Sequence, residues 1–255
     1  MIKEWIESYE PKNIQDTEQA LREIMQEIAL AGLYRANFFK HAAFYGGTAL
    51  RIFHGLNRFS EDLDFSLLQK DADFEFDHYF KSIVDEFQAL GIKVSLNQKM
   101  KSTISTIDSA FLKSDTLWSE LIFEDTIPQI KLSIKPSIKI KLEIDTNPPL
   151  RFGTENKLLT KPFSFYVNCL TLPDLFAGKM LALLFRKWKT RVKGREWAQE
   201  IMTKDQLLEL LALKIASLDI NRVKEDVIRF IPNPQDLEIW SQGYFQQICD
   251  RLEVS

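Results

Sequence analysis

Residues 44–66 read FYGGTALRIFHGLNRFSEDLDFS, and this stretch decides the fold. A short apolar strand ends at Tyr45, the pair Gly46-Gly47 follows, and Thr48 opens a short helix. The polar loop from Asn57 to Glu61 then leads into a second strand carrying Asp62-Leu63-Asp64-Phe65. Residues two apart on a strand share a face, so Asp62 and Asp64 present two carboxylates together while Leu63 and Phe65 turn to the other side. Adjacent anions repel unless a cation neutralises them. Paired oxygen ligands suit Mg²⁺ (or Mn²⁺) shared with substrate phosphates. The two glycines allow backbone N–H groups to approach an anion where any side chain would obstruct. Phosphate-cradling glycines followed by metal-holding aspartates predict a nucleotide site.

Working outward, residues 1–9 can form a short helix before Pro11. Asp16 is placed as an N-cap, with Leu21, Ile24, Met25, Ile28 and Ala29 as a helical stripe running to about Lys40. Asp71 to Leu90 reads as an amphipathic helix with Phe76, Phe80, Ile83, Val84 and Phe87 inward, ended by Gly91. Strands are expected at 92–96 and 103–107, with 115–123 either a short helix or a strand. The clearest strand is 137–145: Ile138, Ile140, Leu142 and Ile144 face one side, and Lys139, Lys141, Glu143 and Asp145 the other. Residues 150–170 read as irregular, with extended pieces near 163–167. Thr171-Leu-Pro-Asp174 resembles a capping box and starts a helix to about Lys187. Helix resumes at 195–203, and two or three more follow, broken near Pro232 and Pro234. The expected class is α+β: a mixed sheet with flanking helices over 1–165 and an all-helical part over 166–255.

Composition narrows the function. With 255 residues, the chain can bury a sizeable core. Its 45% hydrophobic and 27% charged residues are those of a water-soluble globular protein. A formal net charge of −3 argues against wholesale coating of nucleic acid, while leaving room for a local basic patch. Cys169 and Cys249 lack metal-ligand spacing and read as reduced core thiols of a cytoplasmic protein. The opening MIKEWIESYE holds no apolar run, so neither a signal peptide nor a membrane span is expected.

Gly46-Gly47-Thr48-Ala49-Leu50, with Arg58-x-Ser60-x-Asp62-Leu63-Asp64, resembles the AbiEii/AbiGii toxin family, a branch of the nucleotidyltransferases built like DNA polymerase beta. The resemblance is strong over 44–66 and weaker over 138–146 and 172–200. It implies a nucleotidyltransferase sheet with a helical C-terminal domain closing the cleft. It also implies a metal on Asp62 and Asp64, and a third carboxylate on a neighbouring strand to activate the attacking hydroxyl. Asp145 fills that part, with Glu143 as the alternative on the same face. Gly46, Gly47 and Thr48 are expected at the triphosphate, while Arg58 and Ser60 either contact phosphate or brace their loop.

Lys179, within Leu175-Phe-Ala-Gly-Lys179-Met-Leu-Ala-Leu-Leu-Phe-Arg186, matches the family's phosphate-serving lysine. A lone lysine in an apolar run is costly to bury unpaired. The family's later Arg-Asp is here Arg195-Glu196, and Gln199 stands where a further Asp is common. The span 186–195 carries six basic residues and no acid, with Trp188 among them, which suits an RNA backbone or the nucleotide's phosphates.

The expected activity is transfer of a nucleoside monophosphate from an NTP to an acceptor, with pyrophosphate released. The toxin resemblance favours RNA, tRNA in particular, and implies a cognate antitoxin. A protein or small-molecule acceptor is the second expectation. A nucleotide-binding protein that has lost turnover is the third, motivated by Glu196 and Gln199.

Overall fold

The computed structural model describes residues 1–98, 116–123, 139–148, 152–185 and 204–251. The chain divides into two compact units, Met1–Thr171 and Leu172–Ser255. The expected division at 165/166 falls instead at the head of a strand of the first unit.

In chain order the first unit runs α1 (Ile2–Glu7), α2 (Ile14–Arg35), a 3-10 turn at Phe38–Lys40, β1 (Ala42–Tyr45), α3 (Gly46–His54), β2 (Asp62–Leu67), α4 (Asp77–Ala89), β3 (Val94–Gln98), β4 (Thr116–Phe123), β5 (Lys139–Asp145), β6 (Thr154–Leu159) and β7 (Phe165–Leu170). The strands form one sheet in the order β3-β4-β5-β2-β1-β7-β6. At its centre β2 runs antiparallel to β1 and parallel to β5, and β1 runs parallel to β7.

One face of this sheet makes the core. Phe44, Leu63, Phe65, Ile140, Leu142 and Ile144 are all buried there. Phe38, fully buried, packs its ring edge-on to Phe65 and Tyr79, each at 5.0 Å, and so ties the 3-10 turn to β2 and α4. Burying such a ring stabilises by about 2–3 kcal/mol. At Gly32 a Cβ would stand 2.5 Å from Ile83 Cα, so α2 and α4 can touch backbone to backbone only because that position is bare.

Several expectations shift. Asn13, not Asp16, caps α2, accepting from the Asp16 N–H at 2.9 Å. The helix ends at Arg35 because Asn37 takes left-handed φ of 59°. The expected helix from Asp71 starts only at Asp77, and Gly91 follows its end at φ 74°. Tyr79, unselected in the sequence, joins Ile83 and Phe87 on its buried side. Residues 116–123 form a strand. The stretch 150–170, read as irregular, contains the hairpin β6–β7; β6 is an edge strand, so its Thr-Glu-Asn-Lys run lacks the two-sided apolar pattern of an inner strand. The strand expected at 103–107 lies outside the described residues.

The second unit holds α5 (Leu172–Phe185), α6 (Lys204–Ala216), α7 (Ile220–Val227) and α8 (Gln242–Asp250). Asp219 and Ser241 cap α7 and α8 through hydrogen bonds from Arg222 N (3.2 Å) and Tyr244 N (3.1 Å). Leu211, Ile215 and Cys249 form a small core, against which Met180, Leu208 and Phe245 pack. Both cysteines are free thiols and buried. Among the described residues, no helix is long and apolar enough to cross a membrane.

The interior of α2 carries charge. Glu23 accepts from Tyr9 Oη at 3.0 Å and from Arg51 Nε at 2.9 Å. Glu27, 7% exposed, leaves its Oε2 without a hydrogen-bond partner. Burial pushes the Glu27 carboxyl up to about 7, against the pull of Lys161 and with the help of Glu23. A raised acid stabilises the fold while protonated; that contribution is lost as pH rises from 4.5 through about 7. Glu27→Gln is therefore expected to unfold at higher urea than the wild type at pH 8, by about 1–3 kcal/mol, and to show little difference at pH 4. A pH-independent difference between the two proteins would contradict this.

Candidate functional site

The site forms where β1 turns into α3 beside the start of β2. The helix begins at Gly46, two residues before the expected Thr48, and its N-cap Tyr45 gives no side-chain cap. The first N–H groups of a helix have no partner within it, so they are donors for an anion. Gly46 has φ of +88°, a conformation other residues adopt only with strain. A Cβ there would overlap Asp64 Oδ2 and come within 2.9 Å of its Cγ. The turn and the carboxylate are therefore in direct contact. At Gly47 a Cβ would stand 2.7 Å from Ser60 Oγ and 3.5 Å from Arg58 Nη2. Gly46, Gly47, Arg58, Ser60 and Asp64 thus lie together at the start of α3.

Thr48 lies elsewhere in this scheme. Its side chain is buried, and Oγ1 donates to the Asp62 carbonyl at 2.5 Å. The hydroxyl ties the first turn of α3 to the start of β2, so from this residue only the backbone N–H is left to offer an anion.

Helix α2 holds the loop before β2. Arg22 Nη1 meets Glu61 Oε1 at 2.6 Å, and Gln26 Nε2 donates to the Ser60 carbonyl at 3.0 Å. Arg51 of α3 stacks over Phe59 at 4.4 Å and donates to the Leu56 carbonyl at 3.1 Å. Arg58 donates to the Phe59 carbonyl at 3.3 Å, and burial pushes its guanidinium down. These bracing residues escaped the sequence reading; the polar Glu23, Gln26 and Glu27 inside an apolar helical stripe were the signal.

The neighbouring strand supplies further charge. Register places Lys141 beside Asp62, Glu143 beside Asp64 and Asp145 beside Ser66. Laterally adjacent residues of parallel strands point to the same face, about 5 Å apart. Asp145, the expected third acid, is thus one step along the strand from the pair. It is also only 4% exposed, and its Oδ1 accepts from Asn147 N at 3.2 Å. Glu143, the alternative, stands in register with Asp64, and its carboxylate is ion-paired with Lys141. Burial pushes the Asp62 carboxyl up; Lys141 opposes this, while Glu143 and Glu61 add to it and Arg22 opposes.

Asp62 and Asp64, half-buried on one strand face with the bare Gly46 above Asp64, are a donor set that fits a hard divalent cation. Among the described residues no group of three acid, histidine or cysteine side chains is drawn together for a metal. Lys179 lies on α5 in the second unit and is exposed, so the cost of burying it does not arise. Glu196 and the basic span 186–195 lie outside the described residues.

A helix opened by bare glycines over a strand aspartate pair, in a mixed sheet with flanking helices, is the arrangement of a nucleotidyltransferase. The family model described as nucleotidyl transferase AbiEii toxin, type IV toxin–antitoxin system, matches residues 28–198. The chain belongs to this AbiEii family and is a nucleotidyltransferase of the toxin type. No curated protein matches it. Two crystal structures from Helicobacter pylori are similar in fold. One, assigned as a nucleotidyltransferase, has a TM-score of 0.49 at 18% identity, over 88% of this chain and 93% of its own. The other, JHP933, has a TM-score of 0.46 at 16% identity, over 88% and 90%.

The Gly46 contact makes a graded prediction. Gly46→Ala and Gly55→Ala both place a side chain at positive φ, +88° and +67°, but only Gly46 has an atom within 4 Å of the new Cβ. In urea unfolding Gly55→Ala should lose about 1 kcal/mol and Gly46→Ala more. Gly46→Ala alone should also lose nucleotide binding. Equal losses in the two variants, with binding intact, would contradict the contact.

Proposed function

We propose that the protein transfers a nucleoside monophosphate from an NTP to an RNA hydroxyl, tRNA being the favoured acceptor, in a reaction that requires Mg²⁺ or Mn²⁺. The observation that carries this is the packing of the Gly46 backbone against the Asp64 carboxylate, which supports phosphate and metal being held at one point. Asp62 and Asp64 hold the divalent cation. When bound, it neutralises charge on the phosphoryl oxygens and polarises phosphorus for in-line displacement. The Gly46 and Gly47 N–H groups bind phosphate oxygens, and Arg58, beside Gly47, adds a guanidinium to them. Ser60 orients the same loop.

Of the two candidates for the third carboxylate, the register with Asp64 supports Glu143, which would join Asp64 at the cation and take up the proton of the attacking hydroxyl. Asp145 then serves the turn after β5 through Asn147. Lys179 and Glu196 belong to this scheme through their sequence motifs, Lys179 as a cation for the nucleotide phosphates and Glu196 as an acid of the second half of the site. The toxic role would be held in check by a cognate antitoxin, and the cytoplasm is where NTPs and tRNA are available.

The test is incubation of the full chain with Mg²⁺, each α-labelled NTP in turn, and total RNA. Label should move to RNA with one or more NTPs, and Asp64→Ala should lower transfer by a factor on the order of 10³ or more. Label on protein with none on RNA would replace the acceptor. No transfer with any NTP, or equal transfer by Asp64→Ala, would overturn the proposal.

A further inference from the structure

The carboxylate face carries a cation of its own. Lys141 stands on β5 in register with Asp62, and its ammonium is ion-paired with Glu143, the residue in register with Asp64. On its other side the register of β4 brings Glu120. The Lys141 and Glu143 side chains are 28% and 33% exposed, so the pair is half-buried rather than sealed in the core. The pair is not needed to hold β5 in place: Ile140, Leu142 and Ile144 are buried on the opposite face.

Glu143 stands about 5 Å from Asp64 across the strands, and Asp62 lies two residues along β2 from Asp64, about 7 Å away, close enough for the three charges to repel. One ammonium among them relieves that repulsion, and a divalent cation relieves it more strongly. The two cannot both hold Glu143 without repelling one another. An ion pair still open to solvent is also weak, on the order of 1 kcal/mol, so a metal can displace it.

Resting on the assignment of the metal to Asp62 and Asp64, we infer that Lys141 is the resident counter-cation of this face, competing with the divalent cation for Glu143. Lys141 holds Glu143 aside before the metal–nucleotide complex arrives and yields it when that complex binds. Lys141 is then a positioning residue, setting how much metal is needed to free the carboxylate. It is not a phosphate ligand.

Calorimetric titration of Mn²⁺ into the full chain tests this, using wild type, Lys141→Met, Lys141→Arg, Glu143→Gln, the Lys141→Met/Glu143→Gln double variant and Asp64→Asn. Lys141→Met should bind Mn²⁺ about fivefold more tightly than wild type, matching a pair of about 1 kcal/mol. Lys141→Arg should stay near wild type, and the gain should vanish in the Glu143→Gln background. If Lys141→Met does not fold, as judged by circular dichroism, Lys141→Gln takes its place. Unchanged or weaker Mn²⁺ binding by the neutral variant overturns the inference. So does unchanged Mn²⁺ binding combined with weaker NTP binding, which would make Lys141 a phosphate contact. In either case, wild-type binding lost in Asp64→Asn leaves the metal assignment standing. No Mn²⁺ binding by wild type or the neutral variant overturns both.

Discussion

Gly46 and Asp64 occupy space that would otherwise be contested. The strand β1 ends, the backbone swings through a positive φ, and the helix α3 begins against a carboxylate where a single methyl group would overlap. Much of the first unit serves this contact. Tyr45 is in register with Asp64 because β1 and β2 are antiparallel neighbours, and that register sets which residue of β2 meets the glycine. A one-residue slip would turn Asp64 into the core and Leu63 or Phe65 out to the turn. Thr48 locks the arrangement from the other side through the Asp62 carbonyl.

Helix α2 is the second support, and its interior is unusually polar. Glu23, Gln26 and Glu27 are buried on it beside Ile24, Ile28 and Leu30. Glu23 and Gln26 have partners that fix the approach to β2: Arg51, which clamps Phe59 and Leu56, and the Ser60 carbonyl. Buried ion pairs of this kind add little net stability but hold one geometry against others. Glu27 has no such partner for Oε2, and it is the one member whose burial acts against the fold near neutral pH.

The parts legible from sequence were those governed by local chemistry. Two glycines before a helix, and two aspartates on alternate strand positions, declare their geometry through φ preference and pleat. The apolar alternation of β5 declares its buried face. Pairing between strands far apart in sequence does not declare itself in this way. Nothing near residue 143 says that Glu143 rather than Asp145 will stand beside Asp64; that follows from the parallel register of β2 and β5. The hairpin β6–β7 was hidden because an edge strand needs only one apolar side. The start of α2 moved from Asp16 to Asn13 because both residues can cap, and the hydrogen bond from Asp16 N to Asn13 decides between them. Thr48 looked like a phosphate ligand because its position near a helix start suits one, yet its hydroxyl found a backbone carbonyl nearer to hand.

The chemistry follows from how charge is distributed around that contact. The N-terminal donors of α3 adjoin Asp64 and Arg58 adjoins Gly47, while Glu143 stands in register with Asp64 and Lys141 with Asp62. On the proposed function, a triphosphate carrying a divalent cation would match both donors and carboxylates at once, whereas a free anion or a free cation would match only one. The most direct measurement is the backbone amide spectrum of the ¹⁵N-labelled protein during titration with Mg²⁺ and a non-hydrolysable NTP analogue. The account predicts that the Gly46 and Gly47 amide resonances move most, and that they do so only when metal and nucleotide are both present. Binding of the analogue that leaves both glycine amides in place while shifting others would contradict it.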